Sequence, residues 1–368
     1  MIRVAFVIPT LDQSGAERQL TLLATGLPRD RYIVKVFALN RGGHYADQLR
    51  NHGIEVEVLE KRFRFDLLTW IRLRRGLAEF CPDFVQSYLF AANAYVRLPA
   101  VCPPRARVIV CERCVDSWKS AWQLKIDRWM LGRTWAMTAN SRGVADFYMS
   151  IGVPVNFITV IPNGMPRPKQ PVDPAAERQK ARQTLGLRSD DRVVGFVGRL
   201  ARQKRLQDLI WSFQLLRQTI TNGKLVLIGD GPERVALEEL AINLDCRHLI
   251  HFAGHRSDAY QLAAAFDVFV LPSEFEGMSN SLMEAMSLRL PVVASDIAPN
   301  QELIQHETTG LLYPVGKSAD LTMAMKRLFD DMNLAEKLAD AGQQKITESH
   351  CVEHMVARHC QLYESGII

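Results

Sequence analysis

Pro162-Asn163-Gly164-Met165-Pro166-Arg167-Pro168, followed closely by Pro171 and Pro174, divides the chain in two. Proline lacks a backbone N–H and holds φ fixed, so a run this dense continues neither a helix nor a strand. On its amino side, residues 2–8 form a short β-branched run closed by Pro9, and further strands are predicted at 33–39, 54–59, 84–88, 108–111 and about 136–139. Beyond the prolines the pattern restarts, with strands predicted at 193–197, 224–228, 249–252, 268–271, 291–294 and 310–312, and helices at 206–219 and 232–244. Short apolar strands alternating with helices specify parallel sheets covered on both faces. The expected fold class is therefore α/β, two Rossmann-like doubly wound parallel-sheet domains in tandem with a cleft between them. Their bounds are 1–164 and 165–351, and a last amphipathic helix over about 352–363 can pack on either.

Length and composition agree with this division. A chain of 368 residues exceeds the usual single core and suits two domains of about 150 to 200 residues. With 48% hydrophobic and 23% charged residues it has apolar mass for two cores, which excludes a disordered chain. The net charge of +5 is uneven: residues 1–165 hold 22 Lys and Arg against 14 Asp and Glu, and the remainder holds 23 against 26. A basic first half attracts anionic membrane or substrate; no nucleic-acid motif accompanies it, so no nucleic acid is expected.

Seven cysteines without framework spacing fit reduced thiols and a cytoplasmic location. Cys111 and Cys114 form a C-x-x-C, and Cys351, His354, His359 and Cys360 cluster near the other end; each set reads either as incidental thiols or as a metal or redox site, and no metal is expected. No cleavable leader precedes the first strand, and no apolar run of about 18 residues occurs, so neither export by that route nor a membrane span is expected.

Three segments carry candidate chemistry. Ser14-Gly15-Ala16-Glu17 lies between the first strand and its helix, where Ser14 and Glu17 can form a capping box and Gly15 can admit a phosphate to the helix start. Val197-Gly198-Arg199-Leu200-Ala201-Arg202-Gln203-Lys204-Arg205 follows the first strand of the second domain. Arg199 and Lys204 there place two cations where a diphosphate needs neutralising, while Arg202 and Arg205 read as a solvated turn. The third segment, residues 271–286, ends a strand and turns through Glu274, Glu276, Gly277, Met278 and Ser279, with Asn280 as helix cap and Glu284 on the helix. Two ionised carboxylates at a crevice accept paired bonds from vicinal hydroxyls, one set for a hexose and one for a ribose. Glu274 reads as a surface acid.

Glu276 and Glu284, seven residues apart within P-S-x-x-E-G-x-x-N-x-x-x-E-A-M, resemble the E-x7-E motif of glycosyltransferase family 4, retaining transferases of GT-B fold. Ser14-Gly15-Ala16-Glu17 resembles the family's G-G-A-E. Ala139-Asn140-Ser141, Ile161-Pro162-Asn163-Gly164, Gly198-Arg199-Leu200 with Lys204, and Gly310-Leu311-Leu312 extend the likeness over nearly the whole chain. The resemblance implies that Arg199 and Lys204 bind the diphosphate with Gly198 and that Gly15 admits it from the first domain. Glu284 would hold the ribose, and Glu276 with Gly277, Met278 and Ser279 the donor sugar. The loop at Gly254, His255 and Arg256 would lie near the base, and the last helix would cross back to the first domain. Arg199, Lys204 and Glu276 are then the catalytic residues. No cofactor is implied, because the nucleotide sugar is itself a substrate, with UDP-sugar favoured over GDP-sugar.

The chain departs from the family at the strand ends facing the expected cleft. Many members carry a histidine there; this chain has Gln86-Ser87-Tyr88 and Cys111-Glu112-Arg113, and its only histidines before the linker are His44 and His52. Tyr88, Glu112 and Arg113 are the acceptor-side candidates in their place. The expected partners are a nucleotide-sugar donor and a glycan or lipid-linked acceptor; the sequence assigns no oligomeric state.

Residues 61–75 mix cations with aromatics, which reads either as contact with an anionic membrane on its cytoplasmic face or as an ordinary helix with a solvated basic face. Trp118, Trp122, Trp129 and Trp135 read either as an acceptor wall or as core. Rival activities are a sugar-nucleotide epimerase or hydrolase on the same fold and a non-catalytic binding subunit of a polysaccharide-assembly complex. A nicotinamide dehydrogenase is disfavoured because no G-x-G-x-x-G follows the first strand.

Overall fold

The computed structural model describes residues 1–63, 66–115, 121–167 and 173–367. It divides into two compact units, Met1–Gly164 with Val352–Ile368, and Met165–Cys351.

The first unit holds seven strands: β1 Ile2–Thr10, β2 Tyr32–Arg41, β3 Glu55–Val58, β4 Phe84–Tyr88, β5 Arg107–Glu112, β6 Ala136–Ala139 and β7 Ile158–Val160. They pair in the order β3-β2-β1-β4-β5-β6-β7, every pairing parallel. Alternate side chains of β1 feed two separate cores, as the two-residue period of a strand requires. Val4, Phe6 and Ile8 pack with the helix Gly15–Gly26 and with Met355, Val356, Cys360 and Tyr363 of the helix Val352–Ser365. Ala5 and Val7 pack on the other face with Leu73, Leu77 and Phe80 of the helix Leu67–Phe80. The strand order reverses between β1 and β4, so the segments leaving the C-terminal ends of these strands flank the crevice of this sheet.

The second unit holds β8 Arg192–Val197, β9 Gly223–Ile228, β10 Ile250–Gly254, β11 Val268–Leu271, β12 Val292–Ser295 and β13 Leu311–Tyr313. Their order is β10-β9-β8-β11-β12-β13, again all parallel. Gly195 stands mid-strand in β8 because a Cβ there would lie 2.0 Å from the Phe266 ring. Here the order reverses between β8 and β11. Both motif-bearing segments of this unit leave from those two strands.

Candidate functional site

The segment after β8 is locked to the one after β11. The Gln203 side-chain amide donates to the Phe275 carbonyl at 2.9 Å, the Glu274 N–H donates to the Gln203 carbonyl at 2.9 Å, and the Lys204 ammonium pairs with the Glu276 carboxylate. Lys204 and Glu276 keep only 14% and 9% of their side-chain surface exposed. The Arg199 guanidinium is exposed and has no ion-pair or hydrogen-bond partner among the described residues. Glu274 is exposed, 4.0 Å from Arg205, in keeping with a surface acid.

Glu284 lies in the second turn of the helix Asn280–Ser287 and is half-buried. The cap of this helix is Ser279, whose hydroxyl accepts from the Leu282 N–H at 3.3 Å; Asn280, expected as the cap, is the first helical residue. Gly277, Met278 and Ser279 are buried at the strand–helix turn.

A third segment was not singled out by sequence. Gly229-Asp230-Gly231 leaves β9 and lies flat against the Gly198 loop. The Gly198 N–H donates to the Ile228 carbonyl at 2.9 Å, Leu200 N–H to the Asp230 carbonyl at 3.0 Å, and Glu233 N–H back to the Leu200 carbonyl at 3.0 Å. Gly198 and Gly229 adopt φ of +156° and +141°, and a Cβ on Gly229 would stand 1.9 Å from the Gly198 carbonyl oxygen. Glycine is thus required by both backbone angle and approach. The Gly229 N–H also donates to the Gly254 carbonyl at 2.8 Å, which ties in the loop after β10. There His255 is exposed, and Arg256 makes a paired contact with Asp258 at 2.8 and 2.7 Å that raises the arginine pKa. The signal that could have found this segment is a Gly-x-Gly directly at a strand end.

In the first unit the sequence expectation for Ser14 needs correction. Its backbone is extended as a cap requires, but its side chain caps nothing; the hydroxyl donates instead to the Glu17 carboxylate, which also accepts from Thr10 Oγ1 at 3.2 Å. Burial beneath the helix start raises the Glu17 pKa, with these hydrogen bonds opposing. Gly15 opens the helix that follows β1.

Tyr88, Glu112 and Arg113 are brought together at the ends of the neighbouring strands β4 and β5, but in different states. Tyr88 is buried; its hydroxyl accepts from Gln86 Nε2 at 2.9 Å, and desolvation holds its pKa well above the ordinary phenol value. This placement runs against an acceptor contact by Tyr88. Glu112 is also buried, accepting from Asn93 Nδ2 at 3.0 Å. Arg113 is half-buried, bonds Asn163, and has its pKa lowered by burial. The same network takes in Tyr363, which donates to Gln86 Oε1, and Cys111, whose sulfur accepts from Gln86 at 3.1 Å and Thr138 at 3.0 Å. Burial pushes the Cys111 thiol up to about 11, so it is held protonated at neutral pH.

The tryptophans do not form one wall. Trp118 lies outside the described residues. Trp122 and Trp129 are exposed, Trp122 edge-on to Phe90, and Trp135 packs on Phe84 just before β6, at the opposite end of that sheet. Arg64 and Phe65 of the 61–75 run also lie outside the described residues. No group of metal-ligating side chains and no helix long and apolar enough to cross a membrane occurs among the described residues.

Comparison with known proteins covers both units. The family profile described as Glycosyltransferase Family 4 matches residues 13–167, and that described as Glycosyl transferases group 1 matches residues 177–345. The lipopolysaccharide core biosynthesis glycosyltransferase LpsD of Rhizobium meliloti is 27% identical over 357 residues, 96% of each chain. N-acetyl-alpha-D-glucosaminyl L-malate synthase of Bacillus anthracis is 27% identical over 178 residues, 48% of this chain and 46% of that one. Among solved structures, HepE of Anabaena in complex with UDP-glucose matches with a TM-score of 0.87 at 23% identity, over 99% of this chain and 100% of that one. That last likeness is one of fold.

Proposed function

The chain belongs to glycosyltransferase family 4 and has its GT-B fold, and from that premise we propose that it transfers a hexose or N-acetylhexosamine from a nucleotide-diphosphate sugar to a hydroxyl of a glycan or lipid-linked acceptor. UDP-sugar is favoured over GDP-sugar, and the product belongs to cell-surface polysaccharide or glycolipid synthesis. The names of the relatives support this reading: one acts in lipopolysaccharide core biosynthesis, and HepE was crystallised with UDP-glucose. The observation that carries it is the cross-linking of the Arg199–Lys204 segment to the Glu276–Glu284 segment at the strand reversal of the second unit, which sets cations and carboxylates side by side.

The proposed reaction retains the anomeric configuration. The bond from sugar C1 to the diphosphate oxygen breaks with its electron pair leaving on the diphosphate. The acceptor oxygen bonds to C1 on the same face, and its proton passes to the leaving diphosphate. Arg199 and Lys204 stabilise charge as it develops there; Gly198 lets the loop approach, and Gly15 is the phosphate-facing position of the first unit. Glu276 holds the sugar, with the Gly277, Met278 and Ser279 turn behind it, and Glu284 holds the ribose. The loop at Gly254, His255 and Arg256 borders the base. On the acceptor side Arg113 is favoured over the buried Tyr88 and Glu112. No cofactor takes part in this scheme.

Release of nucleoside diphosphate from a panel of UDP- and GDP-sugars, with and without added acceptors, tests the reading. Release that depends on acceptor supports transfer; equal release without it indicates a hydrolase, and loss of donor binding in calorimetry indicates a silent subunit.

A further inference from the structure

The start of the helix Leu67–Phe80 carries a surface that the fold leaves uncovered. The helix is firmly set: Asp66 accepts from the Leu68 and Thr69 N–H groups at 3.0 and 3.3 Å, and the Asp66 N–H donates to the Tyr95 hydroxyl at 2.9 Å. Its inner face is Thr69, Leu73, Gly76, Leu77 and Phe80. An amphipathic helix with that inner face ordinarily turns polar side chains outward. Here Leu67, Leu68 and Ile71 are 70%, 63% and 46% exposed, and Phe63 just before them is 71% exposed. Cations border them. Arg62 is exposed, and Arg74 lies over the Trp70 ring at 5.6 Å. Among the described residues of 61–75, five Lys and Arg stand against one acid, Asp66, which is committed to capping.

Charge decides what covers such a patch. A second copy bound about a two-fold axis would set these cations against themselves, which is repulsive. An anionic bilayer satisfies both parts, taking the apolar side chains among its acyl chains and the guanidinium groups at its phosphates. Position agrees: the segment follows the C-terminal end of β3, and because the sheet is wholly parallel this is the end where Gly15 follows β1.

We propose that Phe63, Leu67, Leu68 and Ile71, with Arg62 and Arg74, form a docking surface for an anionic lipid bilayer that turns this end of the first unit towards the membrane. Docking is separable from sugar transfer, so each can fail without the other.

The test is sedimentation of the full chain with phosphatidylglycerol–phosphatidylcholine vesicles and with phosphatidylcholine vesicles alone. Binding is expected with the first, falling as salt rises. Leu67→Glu with Leu68→Glu should weaken it by more than about tenfold, and Arg62→Gln or Arg74→Gln by roughly fivefold each. Because these side chains are exposed, thermal melting and transfer to a water-soluble acceptor should not change. A wild-type chain left in the supernatant, equal binding to both vesicle types, or undiminished binding by the Leu double variant overturns the proposal. So does a lipid-free dimer that the same variant dissociates.

Discussion

Lys204 and Glu276 neutralise one another across the strand reversal of the second unit, 72 residues apart in sequence and both largely withdrawn from solvent. A donor diphosphate would therefore compete with a carboxylate for the same ammonium, and Glu276 would be freed for the sugar as Lys204 turns to the phosphate. Lys204→Ala should then lower kcat by roughly two to three orders of magnitude and shift Tm only slightly. Steady-state kinetics beside a thermal melt separate the two effects; undiminished transfer would falsify the role given to Lys204.

Gly229→Ala should damage the second unit through the Gly198 loop. The new methyl would meet the Gly198 carbonyl oxygen at 1.9 Å from a backbone angle that L residues rarely adopt. A loss of about 1–3 kcal/mol is expected from the strained backbone alone, read by urea unfolding, together with weaker donor binding in calorimetry. Gly231→Ala should weaken the same loop contact through close approach alone, since its methyl would face the Leu200 carbonyl oxygen at 2.3 Å.

Arg97 and Asp127 form a buried ion pair in the first unit, with 1% and 7% of their side chains exposed. Arg97 also donates from Nε to the Asn93 carbonyl at 2.8 Å. Asp127→Ala strands that guanidinium and should cost about 3–5 kcal/mol. Chemical denaturation measures this directly; a loss within experimental scatter would show that water or another acid reaches Arg97.

His359 links folding to pH. Its ring is buried, Nδ1 lies 2.9 Å from the Met355 carbonyl oxygen, and desolvation lowers its pKa from 6.5 to about 4. The unfolded chain therefore binds the proton more readily, and stability rises with pH between about 4 and 6.5. The contribution is fully present above the unfolded value and is lost as acid brings the pH down to the folded one. At one pKa unit to about 1.4 kcal/mol the stake is roughly 3 kcal/mol. His359→Gln should flatten that part of a stability–pH curve, and an unchanged slope would remove His359 as its source.

The strands were largely legible because most of them are rich in apolar residues buried on both faces, such as Val193, Val194 and Phe196 in β8. β7 was not read: Ile158, Thr159 and Val160 sit at the sheet edge, partly exposed, and three residues carry no pattern. Cap identity also escaped the sequence, since Ser14 and Ser279 are equally good acceptors on paper and only the neighbouring geometry directs one to Glu17 and the other to Leu282. The burial of Tyr88 could not be foreseen for a related reason. The Gln86 side chain that bonds it is oriented by Tyr363, 277 residues further on in sequence.

Gln19 grips the linker by both faces of its amide, donating to the Gly164 carbonyl and accepting from the Gly164 N–H, each at 2.9 Å. One residue later the second unit begins, and its closing residue, Cys351, bridges to its opening one, Met165. The second unit is thus a single uninterrupted stretch inserted into the first. During synthesis it can complete its sheet as soon as Cys351 has emerged. The first unit, although begun earlier, still lacks Met355, Val356, Cys360 and Tyr363 from its core at that moment. Order of translation and order of completion are therefore reversed, and the half-built older unit is the one exposed to chaperones and proteases until the last helix arrives.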